Sequence, residues 1–307
     1  MNVYTLDIDS SERDPILYPD PSDYIIHLKN PIYNVTKLSL ISAKIHTSQL
    51  LINDRNNTFS INNSDVILDN NNYSGDELAE EIAAKSADIA SAVYDSNTNI
   101  ITFTGNSNLE FKFYSGTNGY NSVVKEYTTP HDIIGLPSRD IVSVNNEIKT
   151  GSINLQGPDA LVLKLSSGSD EFNKIVFSDI PFYTGRILTC GDVIKYSGVD
   201  DTLEHYFHSG AQKTITHLRI QFFYSSNNRL IPYDFRYSNH VLKLSLECSI
   251  DKFEFSEKID ENLKPNEIPK PIKLPDYDEK IYKSDYIIPI VLVVITILIF
   301  IYKKRII

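Results

Sequence analysis

The sequence predicts a mainly β fold: one or two β-sandwich (jelly-roll-like) units with one amphipathic helix, a proline-rich linker and a C-terminal transmembrane helix. Three observations carry this expectation. Short apolar runs bounded by turn residues recur from Val3 to Ser249. One capped, helix-periodic segment interrupts them at residues 75–92. Residues 284–307 hold an uncharged apolar stretch closed by Lys303-Lys304-Arg305.

The strands follow in order. Val3–Ile8 is a short apolar-polar run. Tyr24–Leu28 lies between Asp20-Pro21-Ser22 and Asn30-Pro31, both turn signals. Val35–His46 alternates through Leu38, Leu40, Ala43 and Ile45, with a register change that marks a bulge. Thr58–Ile61, Asp65–Leu68, Ile100–Thr104, Leu109–Tyr114, Leu161–Leu165, Lys174–Phe177, His217–Tyr224 and Val241–Ser249 complete the set.

The helix is announced by Ser74-Gly75-Asp76-Glu77, a capping box with Ser74 as N-cap and Glu77 reaching back. Leu78, Ile82, Ile89 and Val93 then share one helical face, which predicts a helix covering a sheet. Thr128 to Pro137 reads as an ordered loop whose Ile133, Ile134 and Leu136 plug the end of a sandwich. Asn145-Asn146-Glu147 and Gly151 interrupt the pattern. The expected units are therefore residues 1–145, with the helix, and residues 146–255.

Residues 256–283 read as a linker. Pro265, Pro269, Pro271 and Pro275 recur among mixed charges, a composition that favours extended, polyproline-like chain. The anchor is expected within 284–307. Tyr286 to Tyr302 carries no charge and spans roughly 25 Å as a helix. Such a length suits a thin bilayer like that of the endoplasmic reticulum. Tyr286 and Tyr302 sit where interfacial aromatics belong, and Pro289 falls in the first turn, where its missing N–H is harmless. Lys303, Lys304 and Arg305 form the basic stop.

Composition narrows the function. Net charge is −11 and the soluble part has no basic stripe, which argues against nucleic acid as a partner. The N-terminus reads as lacking a secretory signal. Cys190 and Cys248 are then expected as free thiols in a reducing compartment, and the sequons at Asn34, Asn56, Asn62 and Asn72 as chance. No catalytic, cofactor or metal site emerges. His205 and His208 are three apart, which on a strand puts them on opposite faces. Asp7 and Asp9 share a face, which would suit a carboxylate pair or a calcium site, but a solvated strand edge is the preferred reading. No phosphate-binding glycine loop or nucleophile elbow is present.

Three stretches together resemble structural virion proteins of nucleocytoplasmic large DNA viruses. They are Leu6-Asp7-Ile8-Asp9-Ser10-Ser11-Glu12-Arg13-Asp14, Tyr18 to Leu28 and Pro31 to Ile45. The capped helix after Tyr73 and the segment Tyr233 to Leu244 fit the same pattern. The chain departs from it at Thr47, where a proline often follows the strand. The resemblance implies a minor capsid protein and no enzyme. Its partners would be the major and other minor capsid proteins and the lipid bilayer of the inner viral membrane. During assembly the protein would sit in membrane derived from the host endoplasmic reticulum, as a single-pass protein. A membrane-anchored attachment or fusion-associated binding protein is the alternative, and a membrane-bound hydrolase a third. The alternative would favour a signal peptide, disulfides and used sequons; the third needs a clustered acid, base and nucleophile.

Overall fold

A computed structural model of the chain describes residues 2–172, 181–207 and 213–249. The expected strand at 174–177, the linker at 256–283 and the anchor at 284–307 lie outside the described residues. The described part is mainly β, and all of its strand pairs are antiparallel.

Two strands open the chain, β1 (Asn2–Asp9) and β2 (Asp23–His46). Then come β3 (Thr58–Ile61), β4 (Ser64–Ile67), helix α1 (Gly75–Lys85), β5 (Ile89–Asp95), β6 (Ile100–Gly105) and β7 (Glu110–Lys112). A short helix α2 (His131–Ile134) precedes β8 (Asp140–Val142) and β9 (Glu147–Lys149). Next are β10 (Ala160–Ser167), β11 (Asp170–Glu171), β12 (Gly185–Leu188), β13 (Val193–Ser197) and β14 (Leu203–Tyr206). Last come β15 (Lys213–Ser226), β16 (Arg229–Pro232) and β17 (Val241–Cys248).

The 24-residue β2 is the spine of the larger sheet. Its first half, from Asp23 to Val35, pairs with β15. Its second half pairs with β17 on one side and with β14 and β13 on the other. Beyond β15 lie β10, β11 and β12, and β1 flanks β17. Buried faces from both halves meet in one hydrophobic cluster. It includes Leu38, Leu40 and Ile45 of β2, Leu242, Leu244 and Leu246 of β17, Leu161, Leu163 and Leu165 of β10, and Ile220 and Phe222 of β15. This arrangement is consistent with a β-sandwich.

The sequence divides β2 into two strands at Asn30-Pro31, yet the chain runs through. The pairing with β15 slips there, between His27↔His217 and Ile32↔Ile215, so extra β2 residues bulge out. Pro31 is exposed within that bulge, where its missing N–H costs no ladder bond. The register change expected further on is present. Ser42 pairs with Lys243 and Leu40 with Leu244, leaving Ile41 between them, 40% exposed. That one-residue slip lets Leu38, Leu40, Ala43 and Ile45 all face inward.

A second cluster is built from residues between Leu51 and Ile153. It is framed by the sheets β4-β3-β7-β8 and β5-β6-β9 and by α1. Phe59, Phe103, Phe111 and Phe113 are completely buried at its centre, with Phe59 and Phe113 stacked at 5.3 Å. α1 contributes Leu78, Ala79 and Ile82. The helix was expected to run over 75–92, but it stops at Lys85. Ser86 is extended, and Ile89 and Val93 belong to β5, which forms a hairpin with β6. Val93 is 61% exposed, so its agreement with the helical period is coincidental. β-Branched residues and the Asn97/Asn99 turn favour the strand. α2 and the αL residue Gly135 (φ 78°) close the loop at 128–137, and Ile133, Ile134 and Leu136 enter this second cluster.

The two clusters are nested. The first uses residues on both sides of the second, from Ile8 to Ile45 and from Leu161 to Cys248. A boundary at 145/146, as the sequence suggested, passes through the second cluster.

Candidate functional site

Ser74 and Glu77 form the reciprocal cap: Ser74 Oγ accepts from the Glu77 N–H at 3.3 Å, and Glu77 Oε2 from the Ser74 N–H at 2.8 Å. These bonds hold the Glu77 carboxyl below its ordinary pKa. The cap's work is structural. Tyr286, Pro289, Tyr302, Lys303, Lys304 and Arg305 lie outside the described residues.

The most highly connected polar constellation gathers the opening segment onto the stretch before β17. A 3-10 turn over Ser10–Glu12 follows β1. Asp9 Oδ1 accepts the Ser11 N–H at 2.8 Å, which lowers its pKa. Arg13 donates to the carbonyls of Ser10 (2.6 Å), Tyr18 (2.9 Å) and Pro19 (2.9 Å), and to Asn239 Oδ1 (2.8 Å). Asp14 Oδ1 accepts the N–H groups of Ile16 and Leu17. Ser10 Oγ accepts the His240 N–H at 2.8 Å. His240 is 1% exposed and its Nε2 lies 3.0 Å from the Tyr24 hydroxyl. Burial pushes its pKa down to about 3, so the imidazole is neutral at physiological pH. These side chains fasten backbone to backbone, and Asp9, Arg13 and Asp14 also border a cleft of about 460 Å³.

Asp7 does not join Asp9. It reaches Lys243 across the strand pair at 3.3 Å. His205 packs on Phe172 and Phe207, with ring centroids 5.4 and 4.8 Å away, and His208 lies outside the described residues. No group of three His, Cys, Asp or Glu among the described residues is placed to hold a metal. Cys190 is exposed and Cys248 buried, and both are free thiols.

Two ties escaped the sequence reading. Arg229, 3% exposed, donates to the carbonyls of Gly119 (2.6 Å), Tyr120 (2.6 Å), Tyr127 (2.9 Å), Ser122 (3.2 Å) and Asn118 (3.4 Å). It thereby joins the β15–β16 hairpin to a loop of the nested unit. Asn227 and Asn228, at φ 52° and 55°, make that hairpin's turn, a pair whose chemistry was readable. Lys37, on β2, sits between Glu204 of β14 (2.7 Å) and Glu247 of β17 (3.4 Å), which raises its pKa. Its cross-strand neighbours had no local signal.

The cleft between the two clusters has a volume of about 490 Å³ and is lined in part by Gln49, Thr128, Asp132, Asp159, Arg186 and Tyr224. Thr128 and Ser226 bond to each other at 2.7 Å. Asp132 is 3.1 Å from the His131 Nε2, while His131 Nδ1 engages Thr129. The Thr129 hydroxyl, the buried His131 ring and the Asp132 carboxylate thus form one hydrogen-bonded chain beside this cleft, with His131 Nδ1 also 3.2 Å from the Thr129 carbonyl.

A family model described as "Family of unknown function (DUF5901)" matches residues 1–153. No curated protein matches the chain. Among solved structures, the chain resembles the crystal structure of the mavirus penton protein at 10% identity and a TM-score of 0.41; the likeness covers 81% of this chain and 100% of that one. It also resembles a chain of the Sputnik virophage cryo-EM structure at 12% identity and a TM-score of 0.32, covering 81% and 98%. At this level of likeness neither structure carries an argument about function.

Proposed function

We propose that this protein is a structural virion protein of the minor-capsid type, linking an icosahedral capsid shell to the inner viral membrane through its C-terminal segment. One observation carries the reading. The stretches whose sequence resembles large-DNA-virus virion proteins are those whose polar residues serve as fasteners. Asp9, Ser10, Arg13 and Asp14 bind the opening turn, and Arg13 and Ser10 lock it to Asn239 and His240. Residues used in this way preserve a shape, which is what a protein recognised by surface complementarity needs. The uncharged run from Tyr286 to Tyr302 and the basic Lys303-Lys304-Arg305 supply the membrane side of the proposal. Many copies held in one bilayer raise effective concentration, so weak individual shell contacts suffice.

The test is stepwise extraction of purified particles. Detergent strips the membrane, and the protein is quantified in shell and soluble fractions. Retention on the shell, with release only on capsid disassembly, is the expected result. Clean release with the lipid would overturn the bridging role and put the attachment reading ahead.

A further inference from the structure

The inward face of the larger sheet loses its cover at β1. On β17, Leu242, Leu244 and Leu246 are completely buried. Their partners one strand further out are Ile8, Leu6 and Tyr4. Of these Ile8 is buried, Leu6 only half-buried, and Tyr4 47% exposed. Leu6 and Ile8 line the cleft of about 460 Å³ that Leu17, Ile26 and Leu28 also line. Leu6, Ile26 and Leu28 pack against the first cluster yet stay half-buried, so the core is open on this flank. Leu17, 69% exposed, is presented by a loop that Asp14 and Arg13 hold in shape.

The backbone is open on the same side. Among the described residues β1 pairs only with β17, in unbroken register. The Ser10 N–H donates to the His240 carbonyl, so the even-numbered residues of this ladder face β17. Val3, Thr5 and Asp7 therefore direct their N–H and C=O groups outward. No proline or lysine within residues 2–9 blunts that edge. The rim is acidic: Asp7, Asp9, Glu12 and Asp14 border the cleft, against Arg13 and Lys29. Arg13 is already engaged by the carbonyls of Ser10, Tyr18 and Pro19. Asp7, beside Lys243, keeps its side chain 71% exposed.

We infer that this flank receives a strand from a different protein, one that alternates lysine or arginine with aliphatic residues. The two rows of β1 set that chemistry. Side chains of an added strand alternate between faces as those of β1 do. On the outer face they come to lie beside Val3, Thr5, Asp7 and Asp9, where a cation meets carboxylates. On the inner face they lie beside Tyr4 and Leu6, where an aliphatic side chain enters the cleft and covers the open core. The outward N–H and C=O groups bind any extended chain, and the two rows choose among sequences. A second copy of this chain is the wrong partner, because its β1 would bring Asp7 and Asp9 to a rim that already carries Asp7, Asp9, Glu12 and Asp14.

The experiment titrates the full chain, in mild detergent, into a labelled and end-capped peptide, Lys-Val-Lys-Leu-Lys-Val-Lys, and follows fluorescence anisotropy. Saturable binding is expected. The peptide Glu-Val-Glu-Leu-Glu-Val-Glu should not bind. Lys-Lys-Lys-Lys-Val-Leu-Val has the composition of the first peptide without its alternation, and should bind about tenfold more weakly. Thr5→Pro removes one outward N–H and leaves the β17 ladder intact, so it should weaken binding about tenfold at an unchanged melting temperature. Leu17→Ser, at an exposed side chain, should weaken it severalfold and leave the fold untouched. No binding, equal affinity for the alternating and blocked lysine peptides, or affinity that survives both substitutions would overturn the inference. So would a dimer of the chain alone that Thr5→Pro dissociates, since the edge would then belong to a second copy. None of these results depends on how the protein partitions in particle extraction.

Discussion

Arg229 brings a positive charge into a pocket of carbonyl oxygens, and among the described residues it makes no ion pair. Burial lowers its pKa, yet a guanidinium stays charged, and its planar fork reaches several oxygens at once. Lysine cannot reproduce that fork. Arg229→Lys should therefore cost about 2–3 kcal/mol in urea unfolding, through carbonyls left unpaired. His240 makes a different prediction. Unfolded, its imidazole takes a proton near pH 6.5; folded, only near 3. Between those values the unfolded state binds more protons, so stability falls as pH falls through that window and is unaffected above it. Against His240→Gln, the wild type should lose up to about 1.4 kcal/mol more per pH unit between pH 6 and 4. Parallel pH profiles of the two proteins would show that His240 is not held neutral. Little of this was legible in sequence. Arg229 and His240 look ordinary there, because what makes them important is carbonyls and a tyrosine hydroxyl about 100 to 200 residues away in the chain.

At the scale of elements, short apolar runs bounded by turn residues were readable as strands, as with β1, β3, β10 and β17. β17 buries every second residue, as its alternation predicts, whereas β3 and β10 are buried almost throughout. The helical reading of Ile89 and Val93 failed because apolar spacings of four and seven also occur by chance in a helix–turn–strand. A decisive local feature was Gly75. A Cβ there would lie 2.5 Å from the Tyr94 ring. Tyr94 comes from β5, and its hydroxyl is tied to Asn99 Oδ1 at 2.9 Å, so the ring has little room to swing. Helix propensity alone would make Gly75→Ala stabilising by up to about 1 kcal/mol. The packing predicts the reverse, a loss of about 1–3 kcal/mol from overpacking. Tyr94→Leu in the same chain should recover part of that loss, and a double-mutant cycle by thermal unfolding would measure the coupling. Additive effects would mean that the helix start and β5 do not meet as described.

For the whole molecule, the lesson is the order of assembly. Turn signals at 145–151 suggested one unit ending and another beginning, because sequence reveals local breaks and not which strands pair across them. The pairing of β1 and β2 with β17, some two hundred residues later, has no local signature. Nesting has a consequence that consecutive units would not have. A fragment of residues 1–145 retains β1 and β2 but removes β10, β15 and β17, leaving Leu38, Leu40 and Ile45 without the strands that bury them. It also removes β9 and Ile148 from the second cluster. A fragment of residues 48–157 keeps every residue of that second cluster. It loses only ties such as the Arg229 fork, which fasten it to the rest of the chain. The shorter, internal fragment should therefore show a cooperative thermal transition and dispersed amide resonances. The longer, N-terminal one should aggregate or lack such a transition, despite containing most of the same residues. Cooperative folding of 1–145 together with failure of 48–157 would mean that the units follow one another along the chain after all. The two outcomes differ in which residues bury Leu38 and Leu40, and that is the point on which the nested architecture stands.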